Sequence, residues 1–473
     1  MKNGTKEEKT EFYREDRRPQ FHFSARDSWI NDPNGLVYFC GEYHLCYQTN
    51  PHSAECDGNY HWGHATSPDL IHWKEHEPVL FPDAVGKIWS GTSAVDSGGL
   101  SGFFDGGAGV VAAYSTNTQN IGIAYSRDGY KFTKVSESAP VVACPEGVSD
   151  FRDPHIFYYP EDKKWKLAVA GGLLRIYESG DLCHFSPCGP AQNEYKTECP
   201  NLIRMTVDGE NEEKWVLSLG GRDYVVGSFD GKRFVGETDK IIMNDGADTY
   251  AGITFSDVPD GRVIMISWLN RWWYAKTSPD GRWNGCFTLP VEMRLTRTKD
   301  SYRLIQNPVK EVEKLRCGLL FSAKSKEYSS GENPLEGVFA DTYEMLFTVD
   351  TEKSSAFEIG LRKGDGDCTR IRFSPIDMKM TFDRSESAEG SPELVEKFNP
   401  REFTVSDEAV QNGKLSFRIF VDRTSVELFV GGGFHYFVQR IQPRSDSKGM
   451  SISADAAVAM EEIRIYALDT IWK

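Results

Sequence analysis

Three short motifs in this sequence each hold a carboxylate beside residues that favour a tight turn. Asp32 lies between an asparagine and a proline, Asp153 follows Arg152 and precedes a proline, and Glu198 comes two residues before a proline. Cleavage of a glycosidic bond needs a pair of such groups, because one attacks or stabilises the sugar while the other protonates the leaving oxygen. Asp-Pro pairs also occur in ordinary turns, so this chemistry depends on whether the carboxylates converge.

A repeated turn motif predicts the elements that would bring these carboxylates together. The pattern S-x-D-[LG]-x-x-[FW] occurs at Ser67–Trp73, Ser126–Phe132, Ser179–Phe185 and Ser228–Phe234, and in a shorter form at Ser278–Trp283, with steps of 59, 53, 49 and 50 residues between the first serines. Hairpin turns at a period of about 50 residues are typical of four-stranded propeller blades. Five copies therefore predict an all-β chain that begins with a five-bladed β-propeller. Asp32, Asp153 and Glu198 each precede one of these turns, which places them on early strands beside the central channel.

The pattern changes beyond about residue 305, where short strands alternate apolar and polar side chains at irregular spacing. Such a pattern predicts a C-terminal antiparallel β-sandwich. We therefore divide the chain into a disordered N-terminal tail at 1–18, a catalytic propeller at 19–305, a linker with a short helix at 306–318 and a β-sandwich at 319–473. The polar segment 383–400 is predicted to be a long exposed loop.

Composition and net charge indicate which kinds of molecule the protein binds. The formal net charge is −16, so the surface should repel nucleic acids and anionic membranes, whereas a small neutral saccharide is unaffected. The sequence has no run of 18 apolar residues and no visible signal peptide, which predicts a cytoplasmic protein, although a secreted chain with a trimmed signal would look the same. Ten cysteines without a Cys-x-x-Cys pair are expected to be reduced thiols, with no metal site.

Along most of the chain, short segments match the motifs of one protein family in the same order. The stretch from Arg18 to Arg297 resembles glycoside hydrolase family 32, which contains β-fructofuranosidases, fructan exohydrolases and levanases. The matching segments are Trp29–Gly35, Tyr43–Pro51, Trp62–Trp73, Trp89–Val95, Phe151–Phe157, Glu198–Leu202, Val225–Phe234, Asp248–Ala251, Trp268–Ala275, Leu289–Leu295 and, in the second domain, Asp422–Val430. The resemblance implies a five-bladed propeller followed by a β-sandwich, in agreement with the repeat.

The resemblance also implies roles for individual residues. Asp32 would be the nucleophile, Glu198 the acid/base, and Asp153 the residue that stabilises the transition state beside Arg152. The positions that would bind the sugar are Trp29, Ile30, Asn31, Gln48, Trp89, Ser90, Arg152, Asp248, Tyr250 and Trp272. The chain departs from the family pattern at residues 46–49, 55–61 and 193–197 and at Asn201, all near the expected rim of the pocket. The preference among sucrose, inulin and levan is therefore left open.

These observations together predict a retaining, exo-acting β-fructosidase that needs no cofactor and no metal. It would release terminal β-D-fructofuranosyl units from sucrose or fructans. Two alternatives stay open: a fructosyltransferase that uses the same site, and a non-catalytic fructan-binding protein, which has no reason to keep all three carboxylates. Association of the chain into a homo-oligomer through the β-sandwich is a further expectation.

Overall fold

The structure is a computed structural model that describes residues 12–192, 194–277 and 281–472. Its N-terminal half contains five antiparallel sheets, each built on four consecutive strands, and these sheets are the predicted blades. Their strands are β1 (Trp29–Phe39), β2 (Glu42–Asn50), β3 (His61–Ser67) and β4 (Lys74–Leu80) in blade 1; β5 (Ile88–Asp96), β6 (Gly109–Thr116), β7 (Ile121–Ser126) and β8 (Thr133–Lys134) in blade 2; β9 (Phe151–Tyr159), β10 (Lys164–Gly171), β11 (Arg175–Ser179) and β12 (Ser186–Pro187) in blade 3; β13 (Pro200–Thr206), β14 (Glu213–Leu219), β15 (Asp223–Phe229), β16 (Phe234–Gly236) and the short β17 (Ile241–Ile242) in blade 4; and β18 (Tyr250–Thr254), β19 (Val263–Trp268), β20 (Val291–Arg297) and β21 (Tyr302–Pro308) in blade 5.

The first strands of the blades close the propeller into a ring. β1 contacts β5, β5 contacts β9, β9 contacts β13, β13 contacts β18, and β18 returns to β1. These strands therefore surround the central channel, as the sequence predicted, and side chains near their starts lie at one end of it. The five-bladed propeller is confirmed.

The first four copies of the repeated turn each join the third and fourth strands of a blade, whereas the fifth falls in the chain between β19 and β20, the second and third strands of blade 5. In blade 1 the carboxylate of Asp69 accepts hydrogen bonds from the backbone N–H groups of Ile71 and His72, and Asp181 does the same for Cys183 and His184 in blade 3. A side chain that mimics a backbone acceptor in this way fixes the turn locally, which is why the motif is visible in sequence. The start of the fifth copy, residues 278–280, lies outside the described residues.

The C-terminal domain is the predicted β-sandwich. Its strands are β22 (Arg316–Ala323), β23 (Lys326–Ser329), β24 (Tyr343–Asp350), β25 (Phe357–Lys363), β26 (Cys368–Ser374), β27 (Lys379–Glu386), β28 (Arg401–Thr404), β29 (Lys414–Val421), β30 (Ser425–Val430), β31 (His435–Arg440), β32 (Gly449–Ala454), β33 (Ala457–Met460) and β34 (Ile463–Leu468). One sheet has the strand order β28-β27-β26-β25-β32, and the other contains the remaining eight strands. Apolar side chains from both inner faces form one core, as alternating strands require.

The junction between the domains is shorter than the predicted linker of residues 306–318. β21 runs to Pro308 and β22 begins at Arg316, so only a 3-10 helix, Lys310–Leu315, separates the two domains. Its buried residues, Val312 and Leu315, pack in the same apolar cluster as the propeller strands. The exact boundaries of the domains stay predictions.

Two segments that were predicted to be solvent-exposed are packed. Residues 383–400 contain the end of β27 and helix α1 (Pro392–Lys397), whose Leu394 is fully buried together with Phe398. At the N-terminus Arg18 is fully buried and donates to the carbonyl oxygens of Ala25 and Arg26. Segment 383–400 is thus not a simple loop: most of its side chains are exposed, as expected, but it includes a helix and buries Arg384, Leu394 and Phe398. Residues 12–18 are packed rather than disordered, because Arg18 is buried and pairs with Glu15. Residues 1–11 lie outside the described residues.

Two further observations bear on the sequence predictions. All ten cysteines are unpaired. Among the residues that the structure describes, no helix is long and apolar enough to cross a membrane.

A buried histidine joins the two domains. His22 lies in the segment before β1, and its two ring nitrogens lie 2.8 Å from Asp422 Oδ2 and 2.9 Å from Glu427 Oε1 of the sandwich. Burial alone would lower the pKa of His22, but the hydrogen bonds and charges of these two carboxylates raise it to about 9. The imidazole is therefore protonated at neutral pH and compensates two buried carboxylates.

We expect His22→Gln to lower the free energy of unfolding by about 3–5 kcal/mol at pH 7, because it leaves two buried carboxylates without a cation. The stabilisation from the protonated imidazole is complete below pH ~6.5, the pKa of histidine in an unfolded chain, and is lost as the pH rises through about 9. Denaturant unfolding of both proteins between pH 6.5 and pH 10 checks this. The difference in the free energy of unfolding between the two proteins should become smaller near pH 10. A difference that does not change with pH would contradict the assignment of a protonated His22.

Candidate active site

The three predicted carboxylates lie in, or directly before, the first strand of three different blades. Asp32 is in β1, Asp153 is in β9, and Glu198 comes two residues before β13. The backbone is irregular at these points: the pairing of β1 with β2 shifts register between Ile30 and Pro33, and Asp153 has a φ of +56°. Irregularities of this kind turn a side chain away from the regular alternation of a strand. They let the carboxylates face one shared space.

Arg152 connects two of the carboxylates. Its Nη2 lies 2.7 Å from Glu198 Oε1, and its Nε lies 3.3 Å from Asp153 Oδ2. The same guanidinium is also paired with Asp150 at the outer side. One cation thus holds Asp153 and Glu198 together and offsets their mutual repulsion.

Asp32 is surrounded by neutral hydrogen-bond donors. Ser90 Oγ donates to its Oδ2 at 2.6 Å, and Asn31 Nδ2 donates to its Oδ1 at 3.0 Å. Burial raises the pKa of Asp32, the two hydrogen bonds oppose that rise, and the negative charge of Glu198 adds to it. The donors hold both oxygens in fixed positions, as a nucleophile or an ion-pair partner requires.

Asp153 is buried more deeply. The backbone N–H of Cys199 donates to its Oδ2 at 3.1 Å, and its own N–H donates to Ser115 Oγ. Burial raises the pKa of Asp153 to about 6; the positive charge of Arg152 opposes this rise, and the charge of Asp32 reinforces it. Asp153 is therefore ionised at neutral pH and protonated in moderately acidic solution.

Glu198 faces the open side of the cluster, with 38% of its side chain exposed. Its Oε2 accepts a hydrogen bond from the hydroxyl of Tyr250, and its Oε1 accepts one from Arg152. Burial, together with the bond to Glu198, raises the pKa of Tyr250, so this hydroxyl keeps its proton and remains a donor. Glu198 is thus much more open to solvent than Asp153, whose side chain is 6% exposed.

Aromatic side chains form one wall beside the carboxylates. Trp272 is 44% exposed, and its ring lies 6.1 Å from Trp29 and 4.9 Å from Trp268. The indole N–H of Trp29 donates to Asn31 Oδ1, the residue that in turn bonds Asp32. Trp89 lies with its ring 6.0 Å from the Arg152 guanidinium. Apolar rings next to fixed polar groups are typical of a site that binds sugars.

Two other predicted binding residues are buried next to Asn31 and the start of β1. Gln48 is buried and accepts a hydrogen bond from Asn31 Nδ2. Ile30 is fully buried, and its N–H donates to the carbonyl oxygen of Asn284 in blade 5. The Gln48 side chain therefore fixes Asn31, and the backbone of Ile30 fixes the start of β1.

The structure does not place Asp248 with the other predicted binding residues. Its carboxylate is fully buried and accepts hydrogen bonds from Tyr274, from Arg384 of the sandwich and from the N–H of Arg440. The contacts shown for it are thus at the domain interface. The prediction that Asp248 binds the sugar is corrected, because its oxygens already have charged and polar partners.

Two residues of the site were missed by sequence reasoning. The thiol of Cys199 lies 3.7 Å from Asp32 Oδ2 and 3.6 Å from Asp153 Oδ2. Burial and the neighbouring carboxylates raise its pKa, so it stays protonated and can donate to one of them. Ser115 accepts from the N–H of Asp153 and donates to the carbonyl oxygen of Ser90. Cys199 adjoins Glu198 and could have been noticed, whereas Ser115 lies in an apolar strand with no signal.

The fold and the site together define a glycoside hydrolase, because a propeller channel gathers paired carboxylates, an arginine and an aromatic wall. Residues 22–308 match the N-terminal domain of glycosyl hydrolases family 32, and residues 311–467 match the C-terminal domain of the same family. The chain belongs to glycoside hydrolase family 32.

Named relatives agree with this membership. The chain is 37% identical to a levanase from Bacillus subtilis (strain 168), over 98% of this chain and 72% of that protein. It is 34% identical to a fructan beta-fructosidase from Streptococcus mutans, over 98% of this chain and 34% of the relative. The solved structure of exo-inulinase from Aspergillus awamori superposes with a TM-score of 0.88 at 27% identity, and covers 97% of this chain and 100% of its own.

Proposed function

We propose that this protein is an exo-acting β-fructosidase that hydrolyses terminal β-D-fructofuranosyl units from fructans and sucrose with retention of configuration. The observation that carries the proposal is the convergence of Asp32, Asp153 and Glu198 around Arg152 and Cys199. The names of the relatives, a levanase, a fructan beta-fructosidase and an exo-inulinase, support the substrate class.

In the first step Asp32 attacks C2 of the terminal fructosyl unit. A bond forms between C2 and a carboxylate oxygen of Asp32, the bond from C2 to the leaving oxygen breaks, and Glu198 gives that oxygen its proton. Ser90 and Asn31 orient the attacking carboxylate. Glu198 is suited to the acid role because it lies on the exposed side of the cluster, where the leaving sugar departs.

In the second step Glu198 acts as a base. It removes a proton from a water molecule, whose oxygen bonds to C2 while the bond between C2 and Asp32 breaks, so fructose leaves with its original configuration. Tyr250 and Arg152 hold the two oxygens of Glu198 in the same place through both steps.

Asp153 stabilises the positive charge that develops on the sugar ring in the transition state of each step. Its carboxylate is fixed by the N–H of Cys199 and by Arg152 and accepts hydrogen bonds from fructose hydroxyls, which become better donors as positive charge builds on the ring. Because this gain occurs mainly in the transition state, Asp153 contributes to kcat more than to binding.

Product analysis tests the proposal. The protein is incubated with sucrose, inulin and levan, and products are separated over time, with Asp32→Asn as the inactive control. Fructose as the sole early product from the fructans supports exo-hydrolysis. Accumulation of fructose oligomers from sucrose would instead indicate a transferase, and the absence of any product together with saturable fructan binding would indicate a binding protein.

We expect kcat/KM to fall as the pH is lowered through about 6, where Asp153 becomes protonated. The raised pKa of Asp32 acts in the same direction, because both carboxylates must be ionised for the first step. A pH–rate profile on sucrose under subsaturating conditions checks this. Full activity down to pH 4 would show that neither buried carboxylate has the assigned ionised role.

We expect activity to survive exhaustive chelation, because every group in the proposed mechanism belongs to the protein, the sugar or water. The rate of fructose release is measured after dialysis against a chelator, then again after addition of divalent ions. Loss of activity that a divalent ion restores would contradict the metal-free mechanism.

Two other proposals concern the surroundings of the enzyme. We propose a cytoplasmic location, supported by ten unpaired cysteines, which are typical of a reducing compartment. Fractionation of the native host with an antibody against the chain tests it. Association through the β-sandwich also stays a prediction, and light scattering of the full chain tests it.

A further inference from the structure

Trp272, the exposed member of the aromatic wall, stands on a connection between β19 and β20 rather than on a strand. Its ring is held from one side by Trp29 and Trp268, and 44% of its surface is exposed. A side chain on such a connection needs support from elsewhere to keep one orientation, because loops have fewer backbone hydrogen bonds than strands.

That support begins two residues further along the same connection. Tyr274 is almost completely buried, and its hydroxyl is bonded to Asp248 and, at 3.1 Å, to Nη2 of Arg384. Its ring meets the ring of Phe398 edge to face, with 5.6 Å between the centroids. Arg384 and Phe398 both belong to the sandwich domain, so the anchor of this catalytic-domain connection is supplied by the other domain.

The anchor is built as one unit within the sandwich. Arg384, at the end of β27, is fully buried; it pairs with Asp248 and donates to the carbonyl oxygen of Arg440 at 2.5 Å. Its guanidinium lies 4.0 Å from the centre of the Phe398 ring. Phe398, Leu394 and Tyr274 share one apolar cluster. A buried arginine with a carboxylate partner and an aromatic face is held rigidly.

A second contact ties down the end of the connection. Arg440 Nη2 donates to the carbonyl oxygen of Thr277 at 2.8 Å, and Thr277 Oγ1 donates to Glu393 in helix α1. Sandwich contacts thus hold the connection at two points directly after Trp272, at Tyr274 and at Thr277.

We infer that the sandwich segment from Arg384 to Phe398 positions Trp272 and thereby sets the affinity of the saccharide site. The expected effect on substrate affinity rests on the proposed function, because it requires that the protein act on a fructoside. The residues of this segment are positioning residues, since they act through Tyr274. The contacts shown for Arg384 and Phe398 do not include the three carboxylates, so we expect loosening this segment to weaken substrate binding more than it slows the chemical step.

Phe398→Ala is the main test, with Tyr274→Phe as a milder second variant that keeps the ring and loses the hydroxyl bonds. We expect KM for the best substrate to rise by about tenfold while kcat changes by less than about threefold. Phe398→Tyr, which keeps the aromatic ring, should restore the KM of the unaltered protein. Phe403→Ala is the matched control, because Phe403 packs in the same domain against His435 and Phe437.

Near-ultraviolet circular dichroism provides a readout that does not depend on activity. Closely packed indoles couple optically, so Trp272→Phe defines the signal that belongs to the cluster of Trp29, Trp268 and Trp272. Phe398→Ala and Tyr274→Phe should each lose a large part of that signal while the far-ultraviolet spectrum stays unchanged. Phe403→Ala should keep it.

The outcomes separate the inference from the proposed function. If the unaltered protein releases no fructose from any substrate, the proposed function fails, and the dichroism of the folded variants alone decides the inference. Folded Phe398→Ala and Tyr274→Phe proteins with unchanged KM and an unchanged tryptophan signal would overturn it. So would an equal rise of KM in Phe403→Ala, since the effect would then be a general one of the sandwich.

Discussion

Glu198→Gln is expected to lower the rate of sucrose cleavage by about 10²–10⁴-fold, the usual contribution of a general acid. The amide fits the same space and can still bond to Arg152 and Tyr250, but it has no proton to give to the leaving oxygen. A fructoside with an acidic leaving group needs little protonation, so its first step should be largely spared. Because the second step lacks its base, a burst of leaving group should precede slow turnover.

Rapid-mixing measurements of leaving-group release on both substrates check this expectation. Asp32→Asn is the matched control: it removes the attacking carboxylate and should abolish both reactions without a burst. Equal impairment of both substrates by Glu198→Gln, or a first product with inverted configuration, would show that Glu198 is not the acid/base of a retaining mechanism.

Asp153→Asn is expected to cost about 3–5 kcal/mol of transition-state stabilisation, because it removes a buried, charge-assisted contact to the sugar. The amide can keep the hydrogen bond from the N–H of Cys199, so the geometry is preserved while the charge beside Arg152 is lost. The loss should appear in kcat, as a fall of more than about a hundredfold, with little change in KM.

Asp150→Asn is the matched control for this substitution. Asp150 carries the same group and pairs with the same guanidinium, but 46% of its side chain is exposed and it lies outside the cluster. The kcat of the Asp150→Asn variant should stay within about threefold of that of the unaltered protein, since exposed ion pairs contribute little free energy. Steady-state measurements of kcat and KM for both variants on sucrose test this prediction. A raised KM with unchanged kcat in Asp153→Asn would mean that Asp153 only binds substrate.

The propeller could be predicted from sequence because its signals are local. In blades 1 to 4 an aspartate that accepts two backbone hydrogen bonds fixes the turn between the third and fourth strands, so these blades leave a mark at regular spacing. Once the blades are counted, the first strand of each must line the channel. That geometry predicted that Asp32, Asp153 and Glu198, which their own short motifs had marked as candidates, converge on one site.

Contacts between distant segments could not be predicted in this way. Residues 383–400 are polar in composition, which is typical of a loop, yet Arg384 is buried because Asp248 of the propeller neutralises it. The family resemblance assigned Asp248 to the sugar site, and nothing local in the sequence indicated its partner, which is 136 residues away in the chain. The local sequence shows that a side chain is charged, but it does not show which residue pairs with that charge.

The sequence by itself determined the fold class, the two-domain order and the three carboxylates, because turn chemistry and strand alternation act over a few residues. The tertiary structure decided how those carboxylates are used. It placed Arg152 between Asp153 and Glu198, left Asp32 with neutral donors, and set the Cys199 thiol against two carboxylates. Burial and neighbouring charge raise the pKa values of Asp32, Asp153 and Cys199, and both depend on which strands close around the channel.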